Sequence, residues 1–246
     1  MIELQLFKEV DLADYTLLEG FPGLGLVGPM TDSYIIEKLK MEYIGYIKSS
    51  SFPPIAAVHD SIPMFPVRIY RDEKYKVVII LSEFIIPPEV ISQLAEEIIN
   101  FVVKYNIKQI ISIGGIPSQK PTNEVYAVSS DRKRVEEMES LGIKHIEEGV
   151  VAGVSGIILV EGMRRSIPVI DLLVQVNPSI MDPKYAELAI INLQKIINIE
   201  INTQELEEES KIVEARVREM LKNAKEGHEG YKNAINATGE GPSMYA

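Results

Sequence analysis

Short apolar runs alternate with longer amphipathic stretches along the first half of the chain. The run at residues 15–18 precedes an amphipathic stretch at 30–39, and the run at 77–81 precedes another at 88–105. Such short runs predict strands, and the longer stretches predict helices. Because strands that alternate with helices usually form parallel sheets, the pattern predicts one α/β domain with a largely parallel sheet flanked by helices.

Two runs are apolar at nearly every position, which predicts central strands covered by helices on both faces. They lie at residues 77–81 and 109–113. The segment 49–68 differs, because prolines at positions 53, 54, 63 and 66 interrupt it. Proline cannot donate to a strand ladder, so edge strands or loops are expected here. Residues 51–66 are also a candidate oligomer contact.

The character of the chain changes again towards its last residues. A charged helix is predicted at 132–140 and an amphipathic helix at 183–197, after which the compact body is expected to end near Ile201. Apolar positions between Leu206 and Leu221 share one helical face, which is a second candidate oligomer interface. The glycine-rich stretch that follows predicts flexibility. The expected units are therefore an α/β domain at 1–201, a helix at 202–226 and a flexible tail at 227–246.

Composition and charge narrow the function classes. The 246 residues are 46% hydrophobic and 25% charged, as in ordinary globular proteins, and the net charge is −11 with basic residues dispersed among acids. Nucleic-acid binding needs a clustered basic surface, so it is not expected. The absence of cysteine excludes disulfides and thiolate chemistry and is compatible with the cytoplasm. The most apolar later segment, 150–160, is too short and interrupted to predict a membrane span.

A glycine-rich turn offers the first candidate ligand site. Residues 23–28 read Gly-Leu-Gly-Leu-Val-Gly, between a predicted strand and a predicted helix, as in dinucleotide-binding proteins. However, Pro29 removes a backbone donor there, and the next predicted strand ends in Lys48-Ser49-Ser50 rather than in an acid. The alternative, which we favour, is that the glycines permit a sharp turn and close packing. Gly114-Gly115 follows a central strand, where α/β sheets bind ligands, so a vestigial pocket is a second possibility.

Catalytic patterns are incomplete. Ser155 lies in Gly-Val-Ser-Gly-Ile, which lacks the final glycine of a nucleophile elbow. His59 and Asp60 are adjacent in an extended segment and are expected to point to opposite faces. His145 lies near Glu147 and Glu148, but a single histidine beside surface acids is usually solvated. No catalytic residue, metal or cofactor is therefore predicted.

Several segments resemble the PAC2 family of archaeal proteins similar to proteasome assembly chaperones. The resemblance covers roughly residues 1–225 and rests on Glu-Gly-Phe-Pro-Gly-Leu-Gly-Leu-Val-Gly at 19–28 and Gly-Gly-Ile-Pro at 114–117. Segments 149–156 and 182–186 are also similar to this family. The resemblance implies an α/β fold akin to nucleoside phosphorylases but without a known reaction. It therefore favours a protein-binding role over an enzyme.

The residues Met244, Tyr245 and Ala246 resemble the hydrophobic-Tyr-any motif of proteasome activators and assembly chaperones. The resemblance implies docking between α-subunits of the 20S proteasome, with Met244 in an apolar pocket, Tyr245 as an aromatic anchor and the carboxylate of Ala246 paired with a lysine. One short tail provides few anchors, so several tails on a homo-oligomer are expected to raise the avidity.

The expected function is thus an ATP-independent, cytoplasmic proteasome assembly chaperone or activator. The alternative from another class is a nucleoside- or nucleotide-binding enzyme related to phosphorylases. It would use the turn at 23–28 together with Gly114-Gly115.

Overall fold

The computed structural model describes residues 2–178, 180–203 and 206. The strands within them are β1 (Ile2–Leu6), β2 (Thr16–Glu19), β3 (Glu42–Ser49), β4 (Ala57–His59), β5 (Ile62–Met64), β6 (Val67–Asp72), β7 (Val77–Ser82), β8 (Gln109–Pro117), β9 (Val125–Ser129), β10 (Lys144–His145) and β11 (Val169–Val176). The α-helices are α1 (Val27–Leu39), α2 (Ile91–Lys104), α3 (Arg132–Ser140), α4 (Val154–Arg165) and α5 (Pro183–Ile196).

The strands of the main sheet are ordered β1-β3-β6-β7-β2-β8-β11-β9-β10. The four central strands are β7, β2, β8 and β11, and they run parallel to one another. Antiparallel pairs flank this group on both sides. The predicted α/β class is confirmed, with antiparallel strands added to the parallel centre. The proline-rich segment forms the separate β4–β5 hairpin, as expected of a region unsuited to central strands.

Two helical layers bury the two faces of the sheet. One apolar cluster contains residues of α2 and α4 packed on the sheet. A second cluster contains residues of α1 and α5 on the opposite face. All six residues of β7 are buried, which confirms that 77–81 is a central strand covered on both faces.

Short polar caps begin two of the helices. The side chain of Asp182 accepts a hydrogen bond from the Lys184 backbone N–H, at 2.9 Å, immediately before α5. Asp131 accepts a similar bond from the Arg134 N–H before α3, at 3.0 Å. Each cap satisfies a backbone donor that has no partner inside its helix. α2 is shorter than the predicted 88–105, because a 3₁₀ turn at Pro88–Val90 precedes it.

One central strand was not among the strands that the sequence pattern predicts. β11 lies directly after α4 and pairs in parallel with β8 over its full length. The predicted helix at 202–226 and the tail at 227–246 lie outside the described residues, apart from residues 202, 203 and 206. Among the helices that the structure describes, none is both long and apolar enough to span a bilayer.

Candidate functional site

The glycine turn is a packing element in the structure. Gly25 has a φ of +67°, and a Cβ atom on it would lie 2.9 Å from the Cγ1 atom of Val176. A Cβ atom on Gly28 would lie 2.6 Å from the Cα atom of Gly20 and 2.7 Å from the carbonyl oxygen of Ile113. Only glycine fits such close approaches without movement of the backbone. The geometry therefore favours the packing interpretation of the turn over a dinucleotide site.

The first turn of α1 gives the same result. Its residues, from Val27 to Met30, are buried. A phosphate at a helix N-terminus has to reach exposed backbone N–H groups. At α1 the residues that carry these groups are buried, and Pro29 has no backbone N–H.

A cleft opens beside this turn, where β2, β8 and β11 reach their carboxyl ends. We call it the carboxyl-edge cleft. Its volume is about 610 Å³, and its walls include both Gly114 and Gly115. The position agrees with the sequence-based suggestion of a pocket after β8, and it is where open α/β sheets generally hold ligands. Much of the wall is apolar, including Phe21, Leu24, Ile85, Ile91, Ile116 and Val151.

A row of polar residues crosses three strands at the base of this cleft. Glu19 of β2 is in register with Ser112 of β8, and Ser112 is in register with Asp171 of β11. All three are at most 1% exposed. Residues in register on neighbouring strands share one face of a sheet. The row therefore lies on one face, and Glu19 and Asp171 line the cleft.

The two acids differ in their hydrogen bonds. Oε1 of Glu19 accepts from the Phe21 backbone N–H at 3.1 Å, and Oε2 accepts from the Ser155 hydroxyl at 3.3 Å. Both carboxyl oxygens of Asp171 are buried and accept no hydrogen bond from any residue that the structure describes. Asp171 is thus the acid with free acceptor capacity.

Burial changes the ionisation of this group of acids. It raises the pKa of Asp171 to about 7, with a further contribution from the negative charge of Glu19. It also raises the pKa of Glu19, and hydrogen bonds from neighbouring groups offset part of this rise. Asp32 of α1 is fully buried near Glu19, and its pKa lies well above the usual value because of burial and of that neighbouring charge.

The charge of the cleft opposes the binding of anions. The described residues that line it include Glu19, Glu147 and Asp171, and none of them is Lys, Arg or His. A nucleotide phosphate would meet carboxyl groups there without a cationic partner. This observation weighs against the nucleotide-binding alternative.

The other candidate residues do not assemble into a catalytic or metal site. Ser155 lies in the first turn of α4 and bonds to Glu19, but the lining of the cleft includes no histidine that could activate it. His145 Nδ1 lies 4.0 Å from Glu139 rather than beside Glu147 or Glu148. Within the described part of the chain, no three His, Cys, Asp or Glu residues are grouped as metal ligands.

Sequence reasoning missed a second buried polar cluster, the Arg68 cluster, formed by Arg68, Glu83, His59 and Tyr70. Arg68 is 2% exposed and forms an ion pair with Glu83. His59 Nε2 lies 2.7 Å from the same carboxylate oxygen. The Nε atom of Arg68 donates to the Tyr70 hydroxyl at 2.7 Å. The cluster connects the β4–β5 hairpin to the main sheet.

Asp171 and Glu19 were also missed, although the sequence contains a signal for both. Asp171 is the one acid in an otherwise apolar run, Val-Ile-Asp-Leu-Leu-Val, and Glu19 ends the apolar run Leu-Leu. An acid inside a run that predicts a buried strand has to be buried with it. Met244, Tyr245 and Ala246, the residues predicted to bind a partner, lie outside the described residues.

Comparison with known proteins gives a family and a fold. The model of the PAC2 family matches residues 17–221. PbaA of Pyrococcus furiosus, an archaeal homolog of proteasome-assembly chaperone, is 28% identical with a TM-score of 0.83, and the match covers 92% of this chain and 99% of PbaA. PbaB of the same organism, an archaeal proteasome activator, is 24% identical with a TM-score of 0.74, and the match covers 89% of this chain and 98% of PbaB. At that identity the likeness to PbaB shows the fold alone.

A protein of another archaeon has the same sequence identity to this chain. Protein MJ0106 of Methanocaldococcus jannaschii is 28% identical over 212 residues, which are 86% of this chain and 87% of that protein. The shared unit therefore includes nearly the whole of each protein.

Proposed function

The chain belongs to the PAC2 family, and from this premise we propose that it is a proteasome assembly chaperone or activator that acts without ATP. The observation that carries the proposal is the likeness to PbaA, which has 28% identity and extends over 92% of this chain. A match of this extent spans most of the chain, and its TM-score of 0.83 supports a shared fold. It therefore concerns the whole body of the protein rather than one motif.

The proposed mode of action is docking of Met244, Tyr245 and Ala246 on the α-ring of the 20S proteasome. A methionine side chain fills irregular apolar pockets, and a tyrosine combines a large apolar ring with a hydroxyl that bonds at the rim. Aromatic anchors of this kind dominate many protein interfaces. The pocket between adjacent α-subunits is the expected receptor.

We further propose that the protein acts as a homo-oligomer. Tails linked through one body gain roughly 100-fold to 10,000-fold in avidity when several bind simultaneously. The β4–β5 hairpin supports this proposal, because Val58 and Ile62 are 64% and 63% exposed there. Both lie within the predicted contact region 51–66. Size-exclusion chromatography with light scattering tests the assembly, and Val58→Lys with Ile62→Lys is expected to weaken it.

The docking experiment measures capture of purified archaeal 20S proteasome by the full chain and, in parallel, hydrolysis of a fluorogenic peptide. Capture is expected for the wild type and is expected to be lost for Tyr245→Ala and for deletion of residues 244–246. The matched control is Tyr231→Ala, which removes another tyrosine from the predicted tail and should leave capture unchanged. A chain extended by one glycine after Ala246 tests whether the position of the carboxylate matters.

Two outcomes would overturn the proposal in different ways. Equal capture by the wild type and the deletion variant would refute tail docking but keep proteasome binding. The absence of capture by every variant would refute the proteasome as the partner. Stimulated hydrolysis by the mature particle identifies an activator, and faster assembly of purified α-subunits into rings identifies a chaperone.

A further inference from the structure

The buried carboxyls of Asp171 and Asp32 both have two oxygens without a hydrogen-bond partner among the described residues, but Asp171 lines the carboxyl-edge cleft and Asp32 does not. Asp171 is 1% exposed, and neither oxygen accepts a hydrogen bond from a described residue. A buried polar group without a partner is costly, and native proteins keep few of them. A group of this kind at the wall of a cleft can be satisfied by a molecule that enters the cleft.

The carboxyl-edge cleft gives an outside molecule access to Asp171. Its volume of about 610 Å³ lies within the range of small-molecule sites, which is roughly 300 to 1,000 Å³. The apolar walls, among them Phe21, Leu24 and Ile116, suit a hydrophobic body. A few polar groups at the base of an apolar pocket are the usual arrangement for orienting a ligand.

The charges of the cleft decide which ligand fits. The carboxyls of Glu19, Glu147 and Asp171 line it, and no basic side chain is among its described lining residues. The two oxygens of Glu19 already accept bonds from Phe21 and Ser155. The ionised carboxylate of Asp171 only accepts hydrogen bonds, so a ligand that pairs with this form has to supply the donors, and a positive charge on the ligand would be stabilised.

We propose that the carboxyl-edge cleft binds a small organic amine, whose protonated nitrogen pairs with Asp171 while its apolar body packs against the walls of the cleft. Glu19 adds negative charge beside the same position. The site is separate from the tail predicted to dock on the proteasome, so the two proposals stand or fall independently.

The ionisation of Asp171 supports this assignment. Its partners on the adjacent strands are Ser112 of β8 and Val128 of β9, and Glu19 of β2 lies one strand further along the same row. Glu147, in the loop before α4, is the other charged residue among the described residues that line the cleft. None of these groups is cationic, and the pKa of Asp171 is raised to about 7. A bound ammonium would favour the ionised carboxylate, so amine binding is expected to strengthen as the pH rises through about 7.

The test uses benzylamine as the probe and the full chain labelled with ¹⁵N. Benzylamine is expected to produce saturable shifts in the amide signals of Phe21, Gly114 and Ser155. For a molecule of this size the Kd should be of the order of 1 mM. Benzyl alcohol has the same shape without the charge and should bind roughly tenfold more weakly, and benzoate should not bind.

Two variants connect the binding to the carboxyl. Asp171→Asn keeps the shape of the side chain and is expected to weaken benzylamine binding roughly tenfold or more while leaving benzyl alcohol unaffected. Asp60→Asn, the same exchange on the β4–β5 hairpin, is the matched control and should bind as the wild type does. Equal affinity for amine and alcohol, unchanged binding by Asp171→Asn, or no saturable shift up to about 10 mM benzylamine would each overturn the proposal.

Discussion

Glu83, directly after β7, and Asp171, in β11, both carry buried carboxyl groups. Of these two, only Glu83 has a cationic partner among the described residues. Arg68 forms an ion pair with Glu83, and His59 bonds to the same oxygen. Asp171 has neither a cation nor a hydrogen-bond donor from the described chain. The charge of Glu83 is therefore balanced within the protein, whereas the carboxyl oxygens of Asp171 are unpaired and face a cleft.

The two environments shift ionisation in opposite directions. Burial alone raises the pKa of Glu83, but the hydrogen bond from His59 and the charge of Arg68 lower the pKa below its usual value. For Asp171, burial and the charge of Glu19 act together, and the pKa rises to about 7. A low pKa marks a carboxylate that stabilises the fold, whereas a raised pKa at a cleft is typical of functional sites.

The largest expected change in stability comes from removing the arginine of the Arg68 cluster. Arg68→Met leaves Glu83 buried without its main partner, which typically costs about 3 to 5 kcal/mol. Urea denaturation monitored by circular dichroism measures this loss in the free energy of unfolding. The double variant Arg68→Met with Glu83→Leu should recover most of it, because replacing both members of a buried pair by apolar residues is often nearly neutral. A single variant as stable as the wild type would show that the pair is not required.

Replacing Asp171 is expected to raise the free energy of unfolding rather than lower it. As the pH rises from about 4 to about 7, unfolded Asp171 ionises while the folded group keeps its proton, so the wild type loses stability over this window. A gap of about three pKa units corresponds to about 4 kcal/mol. Asp171→Asn does not titrate, so its stability should exceed that of the wild type by up to this amount near pH 8 and match it near pH 4.

Urea denaturation of both proteins at the two pH values checks this prediction. A difference that is the same at both pH values would contradict the raised pKa. Loss of stability at high pH in Asp171→Asn would contradict the view that the carboxyl is unsatisfied.

A smaller loss of stability is expected at His59, which connects the β4–β5 hairpin to the Arg68 cluster. His59→Ala removes one hydrogen bond to Glu83 while Arg68 remains, so the loss should be about 1.5 kcal/mol. Hydrogen exchange should accelerate mainly in β4 and β5, because the bond attaches this hairpin to the sheet. His59→Gln retains a donor and serves as the control. Equal exchange rates in the wild type and His59→Ala would show that the bond does not hold the hairpin.

The smallest effect is expected at an exposed ion pair. Lys144 and Glu124 form a salt bridge between solvent-exposed side chains. Lys144→Met should leave the urea midpoint unchanged within error, because exposed pairs contribute little to stability. A clear destabilisation would show that this exposed ion pair contributes to stability as the buried pair of the Arg68 cluster does.

Part of the candidate site could be located from sequence. The sequence left a pocket at Gly114-Gly115 as one possibility beside close packing, and both glycines line the cleft. They lie inside β8 rather than after it, because the strand continues to Pro117. The packing interpretation of the glycine turn rested on Pro29 and on the missing acid, and the close approaches of Gly25 and Gly28 support it. Both inferences depend on local sequence, namely on an apolar run and on the glycines that lie next to it.

The acids of the cleft and the Arg68 cluster could not be located in that way. Glu19 and Asp171 are 152 positions apart in sequence, and they lie on one sheet face only because β8 stands between β2 and β11. Arg68 is the last residue of the proline-rich segment 49–68, and an arginine at such a place is normally expected to be solvated. Its burial depends on Glu83 and on the hairpin that carries His59.

The sequence by itself determined the α/β class, the central position of β7 and β8, and the turn that leads into α1, because periodicity and glycine act over neighbouring residues. Only the tertiary structure decided which buried acid acquired a cation and which one faces an open cleft. The reason is physical: the ionisation of a buried carboxyl depends on the charges and donors within a few ångströms, and strand order, rather than sequence distance, brings those groups together.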